Sequence, residues 1–401
     1  MTDGLNRQPG RTLRQTEMDT VLGLRKKSAH HLTLAVLAAL LLCATVICAG
    51  PAGCAKKEVF DENWARHGKG TEGLRTFYNP ISTKSMPDPF IFYHEGYFYG
   101  LATEAFQVRL YKNKTVEDLF TKGESKDLVK TGDVIGGGRT MGGNIWAPEL
   151  HYYPVTGRWY VYSCSTIGSF DFGDMRMFCL ESDGGDPFGD YTFKGITLDG
   201  KICIDQTVYY DEASGELYTA YCDFTDRGQV VMLAAMDNPW TVGEERVTAT
   251  YPEYDWEKRG SDGTNDGRVN EGPVFITHNG EIFLIYSASG CWSEFYSIGL
   301  LHYTGKDTSR QNFLNPANWK KSKKPVFEKA NCVYGVGHCS FFTSPDGEET
   351  WIAYHGMSTS DAGVEGRYAY IQRIKFDKRN YPVLGEPLPE WVRIDVPEWE
   401  D

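Results

Sequence analysis

Hydrophobic and polar residues alternate in short runs over residues 81–385, and these runs come in pairs separated by a tight turn. The clearest pair spans residues 270–287, where two β-branched and aromatic runs flank Asn279-Gly280. Asn-Gly is the dipeptide that best fits the two-residue type I′ turn of a hairpin. The pattern therefore predicts a β-hairpin, and Glu271 lies where its first strand begins.

The hairpin pattern is repeated along the chain. The other four copies open at Asp88, Pro148, Asp205 and His338. Each turn glycine follows its opening residue by eight to ten positions, and successive openings are 60, 57, 66 and 67 residues apart. A repeat of this size cannot bury a core by itself, so neighbouring repeats must stack against one another. The sequence thus predicts an all-β fold with one domain, a five-bladed β-propeller over residues 81–385.

The first 57 residues have a different pattern. Residues 32–50 form an uncharged run of mostly Leu, Ala and Val, which follows the basic triplet Arg25-Lys26-Lys27. Such a run behind a basic flank is typical of an export signal or a membrane anchor, and its length could just span a bilayer. Small residues before Cys54 are similar to a lipoprotein cleavage site. We therefore predict an extracytoplasmic protein, secreted or membrane-anchored, with a signal or a lipoprotein anchor within residues 1–57.

Two short segments flank the predicted propeller. Residues 58–80 are rich in charge and form an approach segment, and residues 386–401 form a C-terminal tail with two tryptophans among acidic residues. Neither segment has the hairpin pattern. Whether the tail packs on the last blade is left open by its composition.

The cysteines show no metal-binding spacing. Seven of them follow Cys54, an odd number without a Cys-x-x-Cys pair. Most lie within the predicted strands, where a buried free thiol is the usual state. A disulfide between Cys332 and Cys339 is one pairing that the sequence allows.

Composition and charge restrict the partners more than the fold. Hydrophobic residues make up 41% of the chain, which is enough for a sizeable core. The net charge of −13 argues against a nucleic acid or an anionic surface as a partner. We expect contact with a membrane only through the N-terminal segment, and the oligomeric state is not predicted.

The opening residues carry the candidate chemistry. In a propeller the innermost strand of each blade begins near the central axis on the same face, so equivalent residues converge there. Three openings are carboxylates: Asp88, Asp205 and Glu271. The last opening is the imidazole of His338. The second opening is flanked by Trp146 and Glu149.

Such carboxylates would repel and desolvate one another, so at least one is expected to be protonated near neutral pH, as acid–base chemistry requires. Single carboxylates before a strand are usually turn or cap residues, but three at one repeat position favour a shared site. For His338, a core histidine bonded to the backbone is an equally good interpretation.

These openings resemble the motifs of glycoside hydrolase family 43, whose members are five-bladed inverting glycosidases. The resemblance covers about residues 80–385 and rests on Pro87-Asp88-Pro89-Phe90-Ile91, Ile145-Trp146-Ala147-Pro148-Glu149-Leu150, Ile204-Asp205, Asn270-Glu271-Gly272-Pro273 and Gly337-His338. It implies that Asp88 is the general base, that Glu271 is the general acid, and that Asp205 raises the pKa of Glu271. An inverting glycosidase needs one acid, one base and room for a water molecule between them.

Three further stretches are similar to the branch of this family that removes terminal arabinofuranose: residues 252–258, 286–292 and 324–327. The resemblance implies a carbohydrate partner, namely arabinan, arabinoxylan or their oligosaccharides. The residues that it assigns to substrate binding are Trp146, Glu149, His338 and Arg367. A β-xylosidase, an endo-arabinanase and a non-catalytic carbohydrate-binding propeller are the alternatives. No cofactor is required by the resemblance, although it allows a structural calcium ion at the propeller axis near His338.

Overall fold

Five antiparallel sheets follow one another along the chain in the computed structural model, which describes residues 64–65, 75–260 and 267–397. Each sheet begins with one of the five predicted hairpins, so that the hairpin supplies the two inner strands of a blade. The prediction of an all-β, five-bladed propeller is therefore confirmed.

The blades are contiguous in sequence. A short strand β1 (Thr76–Phe77) comes before them. Blade 1 contains β2 (Phe90–His94), β3 (Tyr97–Leu101), β4 (Gln107–Asn113), the one-turn helix α1 (Leu119–Lys122) and β5 (Glu124–Lys130). Blade 2 contains β6 (Trp146–Tyr153), β7 (Arg158–Thr166), β8 (Met175–Ser182) and β9 (Tyr191–Ile196). Blade 3 contains β10 (Cys203–Asp211), β11 (Glu216–Thr225), β12 (Gly228–Asn238) and β13 (Thr241–Thr250).

The last two blades differ from the first three in their outer strands. Blade 4 contains β14 (Asn270–His278), β15 (Glu281–Ala288), β16 (Ser297–Tyr303), the short helix α2 (Arg310–Phe313) and β17 (Trp319–Lys321). Blade 5 contains β18 (Tyr334–Thr343), β19 (Thr350–Met357) and β20 (Tyr368–Arg373). Three short strands follow, β21 (Lys375–Phe376), β22 (Pro382–Val383) and β23 (Ile394–Asp395).

The turn between β14 and β15 has the predicted form. Asn279 and Gly280 both have positive φ angles, 48° and 83°, as a type I′ turn requires. The two strands pair in register from His278 opposite Glu281 to Val274 opposite Ile285. The register then shifts between Val274 and Glu271, so the beginning of β14 can bend at the axis.

The hydrophobic cores lie between blades. Leu101 of blade 1 and Val161 of blade 2 belong to one buried cluster. Tyr218 of blade 3 and Leu284 of blade 4 belong to another. Each fully buried side chain of this kind contributes about 1.5–3 kcal/mol relative to an exposed one. Because only a neighbouring sheet covers these side chains, a blade gains most of its stability from the ring.

The segment before blade 1 closes this ring against blade 5. The backbone N–H of Ile81 donates to Ala369 O at 2.8 Å, and the N–H of Met86 donates to Arg367 O at 2.9 Å. This segment therefore runs beside β20, where the other blades have a fourth strand. At the two ends of the domain, β1 pairs with β23 of the C-terminal segment. Because Ile394 of β23 is fully buried, this segment packs on the domain.

A buried ion pair fastens the loop before blade 4. The carboxylate of Glu257 is inaccessible to solvent and lies 2.7 Å from Lys321 Nζ. It also accepts a hydrogen bond from the Tyr286 hydroxyl at 2.9 Å. Replacing Lys321 with Met should therefore lower the free energy of unfolding by about 3 kcal/mol, because one buried charge would lose its partner. Urea unfolding followed by tryptophan fluorescence measures this loss.

The matched control for Lys321→Met is Lys122→Met, which breaks an exposed pair with Asp118 on α1. An exposed i,i+4 pair contributes only about 0.3–0.5 kcal/mol, so the control should unfold almost like the wild type. Equal losses in the two variants would show that burial does not matter at Glu257.

The pairing of Cys332 with Cys339, which the sequence allowed, is not formed. Cys332 is disulfide-bonded, whereas Cys339 carries a free thiol. Cys339 lies within β18 and packs into the core between blades 4 and 5, while Cys332 lies in the turn before that strand. The strand cysteines at 164, 179, 203 and 222 are buried and free, as predicted.

The predicted signal or anchor, with Cys54, lies outside the described residues. Within 64–65, 75–260 and 267–397, no helix is long and apolar enough to cross a membrane.

Candidate active site

A left-handed residue stands near the start of every inner strand. These residues are Asp88, Ala147, Asp205, Gly272 and His338, with φ angles between 44° and 59°. Few residues other than glycine adopt this conformation, and it often marks a functional site. Here it bends each inner strand at the axis, where four of the five ladders also shift register.

Blade 4 departs from this pattern by one residue. Its left-handed position is Gly272, so Glu271 reaches the site from one position earlier than Asp88 or Asp205 do in their blades. A Cβ atom on Gly272 would lie 3.0 Å from the ring of His338. The other four blades place non-glycine residues at this φ angle, so the close approach of blade 5 is the reason for glycine here.

Asp88 is held by hydrogen bonds from two blades. Its Oδ2 accepts a hydrogen bond from Thr103 Oγ1 at 2.6 Å. The same hydroxyl accepts from the backbone N–H of Ala147 at 2.7 Å, so Thr103 joins blade 1 to blade 2. The backbone N–H of Asp88 donates to His355 Nδ1 at 3.3 Å. These contacts fix the carboxylate in one orientation.

The other oxygen of Asp88 faces nitrogen atoms. Oδ1 lies 3.1 Å from His355 Nδ1, 3.3 Å from His338 Nδ1 and 3.6 Å from Arg367 Nη1. Among the described residues, none donates a hydrogen bond to this buried oxygen in good geometry. Burial by itself raises the pKa of Asp88, but the charges of His338 and Arg367 and the His355 contact outweigh it. The pKa therefore lies well below its usual range, and the carboxylate is ionised at neutral pH.

Glu271 has the opposite character. It is buried, and its Oε1 accepts a hydrogen bond from the Tyr296 hydroxyl at 2.8 Å. Burial and then the charge of Asp205 raise the pKa of Glu271 to about 7. A carboxyl group of this kind keeps its proton up to neutral pH and is suited to act as an acid.

Asp205 lies beside Glu271. Its Oδ2 accepts the backbone N–H of Gly272 at 3.0 Å, which ties it to the residue that follows Glu271. Burial raises the pKa of Asp205 to about 6, and the charge of Asp88 contributes to this rise. The structure thus supports the expectation that at least one axial carboxyl is protonated near neutral pH.

His338 faces the carboxylates. Its backbone N–H donates to Ser287 Oγ at 2.7 Å, while its ring lies against Gly272 and Asp88. Burial disfavours the imidazolium ion, but the surrounding carboxylates outweigh burial and raise the pKa of His338. A positive charge here stabilises the ionised form of Asp88.

The remaining two residues predicted to bind substrate lie on β6. Trp146 is half-buried, and the centre of its ring is 6.2 Å from that of the exposed Phe172. The Oε2 atom of the buried Glu149 lies within hydrogen-bonding distance of His151 Nε2, at 2.7 Å. Trp146 therefore presents an apolar surface, whereas the carboxylate of Glu149 already has a partner.

Three residues of the site were not found in the sequence: Thr103, Tyr296 and His355. Thr103 follows the second strand of its hairpin, and His355 lies near the end of the second strand of its own. In an antiparallel pair, this end of the second strand lies beside the opening of the first strand. This rule could have identified them. Tyr296 lies in the loop before β16, where no periodic signal points to the axis.

The structure gives no direct ligand set for calcium near His338. Calcium binds six to eight oxygen atoms. In the described part of the chain, no three His, Cys, Asp or Glu side chains are grouped to hold an ion. A calcium ion near His338 therefore stays a prediction.

One carboxylate with a lowered pKa, one carboxyl with a raised pKa and a third acid beside it lie together in a buried axial site. On a five-bladed propeller, this arrangement defines a protein of the glycosidase class. The family model of glycosyl hydrolases family 43 matches residues 77–382, and the chain belongs to this family. The resemblance noted in the sequence is thus confirmed.

Two relatives from Streptomyces are described as arabinofuranosidases. The chain is 33% identical over 290 residues to the extracellular exo-α-(1→5)-L-arabinofuranosidase of Streptomyces chartreusis, covering 70% of this chain and 82% of that protein. It is 32% identical over 333 residues to the protein of the same description from Streptomyces avermitilis, covering 79% and 65%. The chain thus spans less than two thirds of the length of the second relative.

A solved structure agrees with the fold. The α-L-arabinofuranosidase from Lactobacillus brevis superposes with a TM-score of 0.68 at 29% sequence identity. The match covers 78% of this chain and 98% of that structure. The propeller is therefore shared over almost the whole of that structure.

Proposed function

We propose that this protein is an inverting glycoside hydrolase that removes α-L-arabinofuranosyl residues from arabinan or from arabinose-decorated plant polysaccharide. The observation that carries the proposal is the contrast in the surroundings of two buried carboxyl groups at one axial site. His338 and Arg367 lie beside Asp88 and lower its pKa. Burial beside Asp205 instead raises the pKa of Glu271. The sugar is supported by the three similar proteins described above as arabinofuranosidases.

In this proposal Asp88 is the general base. Its Oδ1 is the oxygen left without a hydrogen-bond donor by the described residues, so it can accept a proton from water. The water attacks the anomeric carbon as its proton passes to Asp88. Thr103 holds the second oxygen and fixes the direction of attack.

Glu271 is the general acid. Its proton passes to the glycosidic oxygen as the bond between that oxygen and the anomeric carbon breaks. The products are a free sugar of inverted configuration and the shortened glycan. Asp88 then holds the proton taken from water, while the proton of Glu271 has gone to the leaving oxygen, and exchange with solvent restores both groups.

The substrate is proposed to contact three more residues, and a fourth supports the site. Arg367 and His338 lie beside Asp88, where they can donate hydrogen bonds to sugar hydroxyls. Trp146 offers an aromatic surface for the apolar face of the sugar. Glu149 supports the site from within, since its charge contributes to the raised pKa of both Asp205 and His338.

Asp205 is proposed to raise the pKa of Glu271, and Asp205→Asn tests this role. Without the neighbouring charge the pKa of Glu271 falls, so the basic limb of the pH profile of kcat/KM should move down by about one to two units. Below pH 5 the variant and the wild type should converge, because Asp205 itself, with a pKa of about 6, is then protonated. An unshifted basic limb would contradict this role.

The protein is proposed to act outside the cytoplasm, as the two Streptomyces relatives are described as extracellular. Attachment through the N-terminal segment, with lipidation at Cys54, is the finer form of this proposal. Fractionation that recovered the full-length protein from the cytoplasm would exclude it, and unchanged lipid labelling of Cys54→Ala would exclude lipidation alone.

The decisive test of function is hydrolysis by the purified protein. We expect release of 4-nitrophenol from the aryl α-L-arabinofuranoside at a much higher rate than from the aryl β-D-xyloside. Inversion predicts that added methanol yields no methyl arabinofuranoside, since no glycosyl-enzyme is formed. Faster hydrolysis of the xyloside would indicate a β-xylosidase instead of an arabinofuranosidase. Binding of arabino-oligosaccharides without hydrolysis would indicate a carbohydrate-binding propeller.

A further inference from the structure

The Tyr296 hydroxyl contacts the proposed acid. Tyr296 is fully buried, and its hydroxyl donates to Glu271 Oε1 at 2.8 Å. A tyrosine hydroxyl has one proton to donate. While it is directed at Oε1, this oxygen acts as an acceptor, and the proton of a neutral Glu271 must lie on Oε2.

The ring of Tyr296 is held between two neighbours. It stacks on the imidazole of His355 with ring centres 5.2 Å apart and planes inclined by only 2°. On blade 5, a Cβ atom added to Gly337 would lie 2.3 Å from Tyr296 Cε1. The ring therefore has no room to turn, and the direction of its hydroxyl is fixed by packing.

The same stack reaches the proposed base. His355 is fully buried and accepts the backbone N–H of Asp88 through Nδ1 at 3.3 Å. One pair of stacked rings thus contacts Glu271 at one end and Asp88 at the other. A displacement of Tyr296 would change the position of the acid relative to the base.

We propose that Tyr296, seated on His355, is a positioning residue that places the proton of Glu271 on Oε2 and sets the distance between acid and base. This inference rests on the proposed acid role of Glu271. In the proposed mechanism, Tyr296 neither contacts the sugar nor changes its protonation state.

The sign of its effect on pH dependence follows from the hydrogen bond. Donation to Oε1 stabilises the carboxylate form of Glu271, so it lowers the pKa against the larger effects of burial and Asp205. The other titratable or charged groups that face Glu271 from neighbouring elements are Asp88, Asp205, Cys222, Cys291, His338 and Arg367. All of them are unchanged by a substitution at Tyr296.

Tyr296→Phe tests the proposal, because it keeps the stacked ring and removes the hydroxyl. For an arabino-oligosaccharide, kcat should fall about 10- to 100-fold as the proton is shared between both oxygens, within the range of general acid catalysis. The basic limb of the pH profile should move up by about one unit, opposite to Asp205→Asn. KM should change little.

The matched control is Tyr286→Phe in the same blade. Tyr286 is also fully buried and also donates to a buried carboxylate, Glu257, at 2.9 Å, but that carboxylate is not among the charges that shift the pKa of Glu271. This variant should lose stability without moving the basic limb. An equal shift in both variants would overturn the proposal, as would an unmoved limb in Tyr296→Phe.

A second variant covers the case in which Tyr296→Phe does not fold. Site-specific 3,5-difluorotyrosine at position 296 keeps the shape of the ring and makes the hydroxyl a stronger donor. The basic limb should then move down, and a limb that stays in place would refute the role. If the wild type hydrolyses no glycoside, the proposed function itself fails; if it is active and both variants keep its pH profile, only this inference fails.

Discussion

Glu271→Gln is expected to lower kcat/KM for arabino-oligosaccharides by roughly 10³-fold or more. General acid catalysis alone is typically worth about 10²–10⁴-fold. The amide is nearly the same size as the carboxyl group, and it retains an oxygen that can accept from Tyr296. The variant should therefore fold normally while it lacks the proton that the leaving oxygen needs.

The expected loss depends on the leaving group. 4-Nitrophenolate and 2,4-dinitrophenolate leave with little protonation, so Glu271→Gln should keep far more activity on their arabinofuranosides than on oligosaccharides. A plot of log kcat/KM against the pKa of the leaving phenol should be steep for the variant and shallow for the wild type. The basic limb that the pKa of Glu271 predicts for the wild type near pH 7 should be lost in the variant.

A uniform loss on all substrates would show that Glu271 is not the acid. If the steep dependence instead appeared in Asp88→Asn, the roles of acid and base would be exchanged.

Asp88→Asn is expected to lower kcat/KM by a similar factor, about 10²–10⁴-fold, for every leaving group. The step that it impairs is deprotonation of water, and no leaving group can compensate for that. Because the low pKa of Asp88 results from His338, His355 and Arg367, the asparagine also leaves these groups without their anionic partner. The activity of the wild type should decline as acid protonates Asp88, whereas Asp88→Asn should lack this acidic limb.

Azide provides a gain-of-function check on Asp88. In Asp88→Gly a small anion can enter, and azide attacks without a base, so arabinofuranosyl azide of inverted configuration should form. Azide with retained configuration would mean that Asp88 is not on the face of attack. Asp211→Asn is the matched control, since Asp211 is also a buried carboxylate of lowered pKa but lies at the far end of β10. It should retain wild-type kinetics.

Periodicity predicted the propeller because the hairpin signal is local. Alternating side chains and Asn279-Gly280 define strands and turn within about eighteen residues, so the sequence shows them without reference to distant contacts. Five copies at similar spacing can bury their apolar faces only when neighbouring copies stack against one another. The convergence of Asp88 and Asp205 follows from the same symmetry, and Glu271 joins them from one position earlier in its blade.

Contacts between blades could not be read in this way. The hydroxyl of Thr103 reaches both Asp88 and Ala147, and His355 approaches Asp88 across 267 positions of the chain. The sequence left the disulfide open for the same reason, since the nearness of Cys332 and Cys339 along the chain does not decide whether they pair. Such contacts depend on how two sheets meet.

The sequence by itself determined the number of blades, the position of the turns and the three carboxylates at the axis, because each rests on a repeated local pattern. Only the tertiary structure decided how those carboxylates differ. Three nitrogen-bearing side chains surround Asp88 and keep it ionised, whereas burial beside Asp205 keeps the proton on Glu271. A pKa is set by the solvent that burial removes and by charges brought from other blades, and neither exists until the ring has closed.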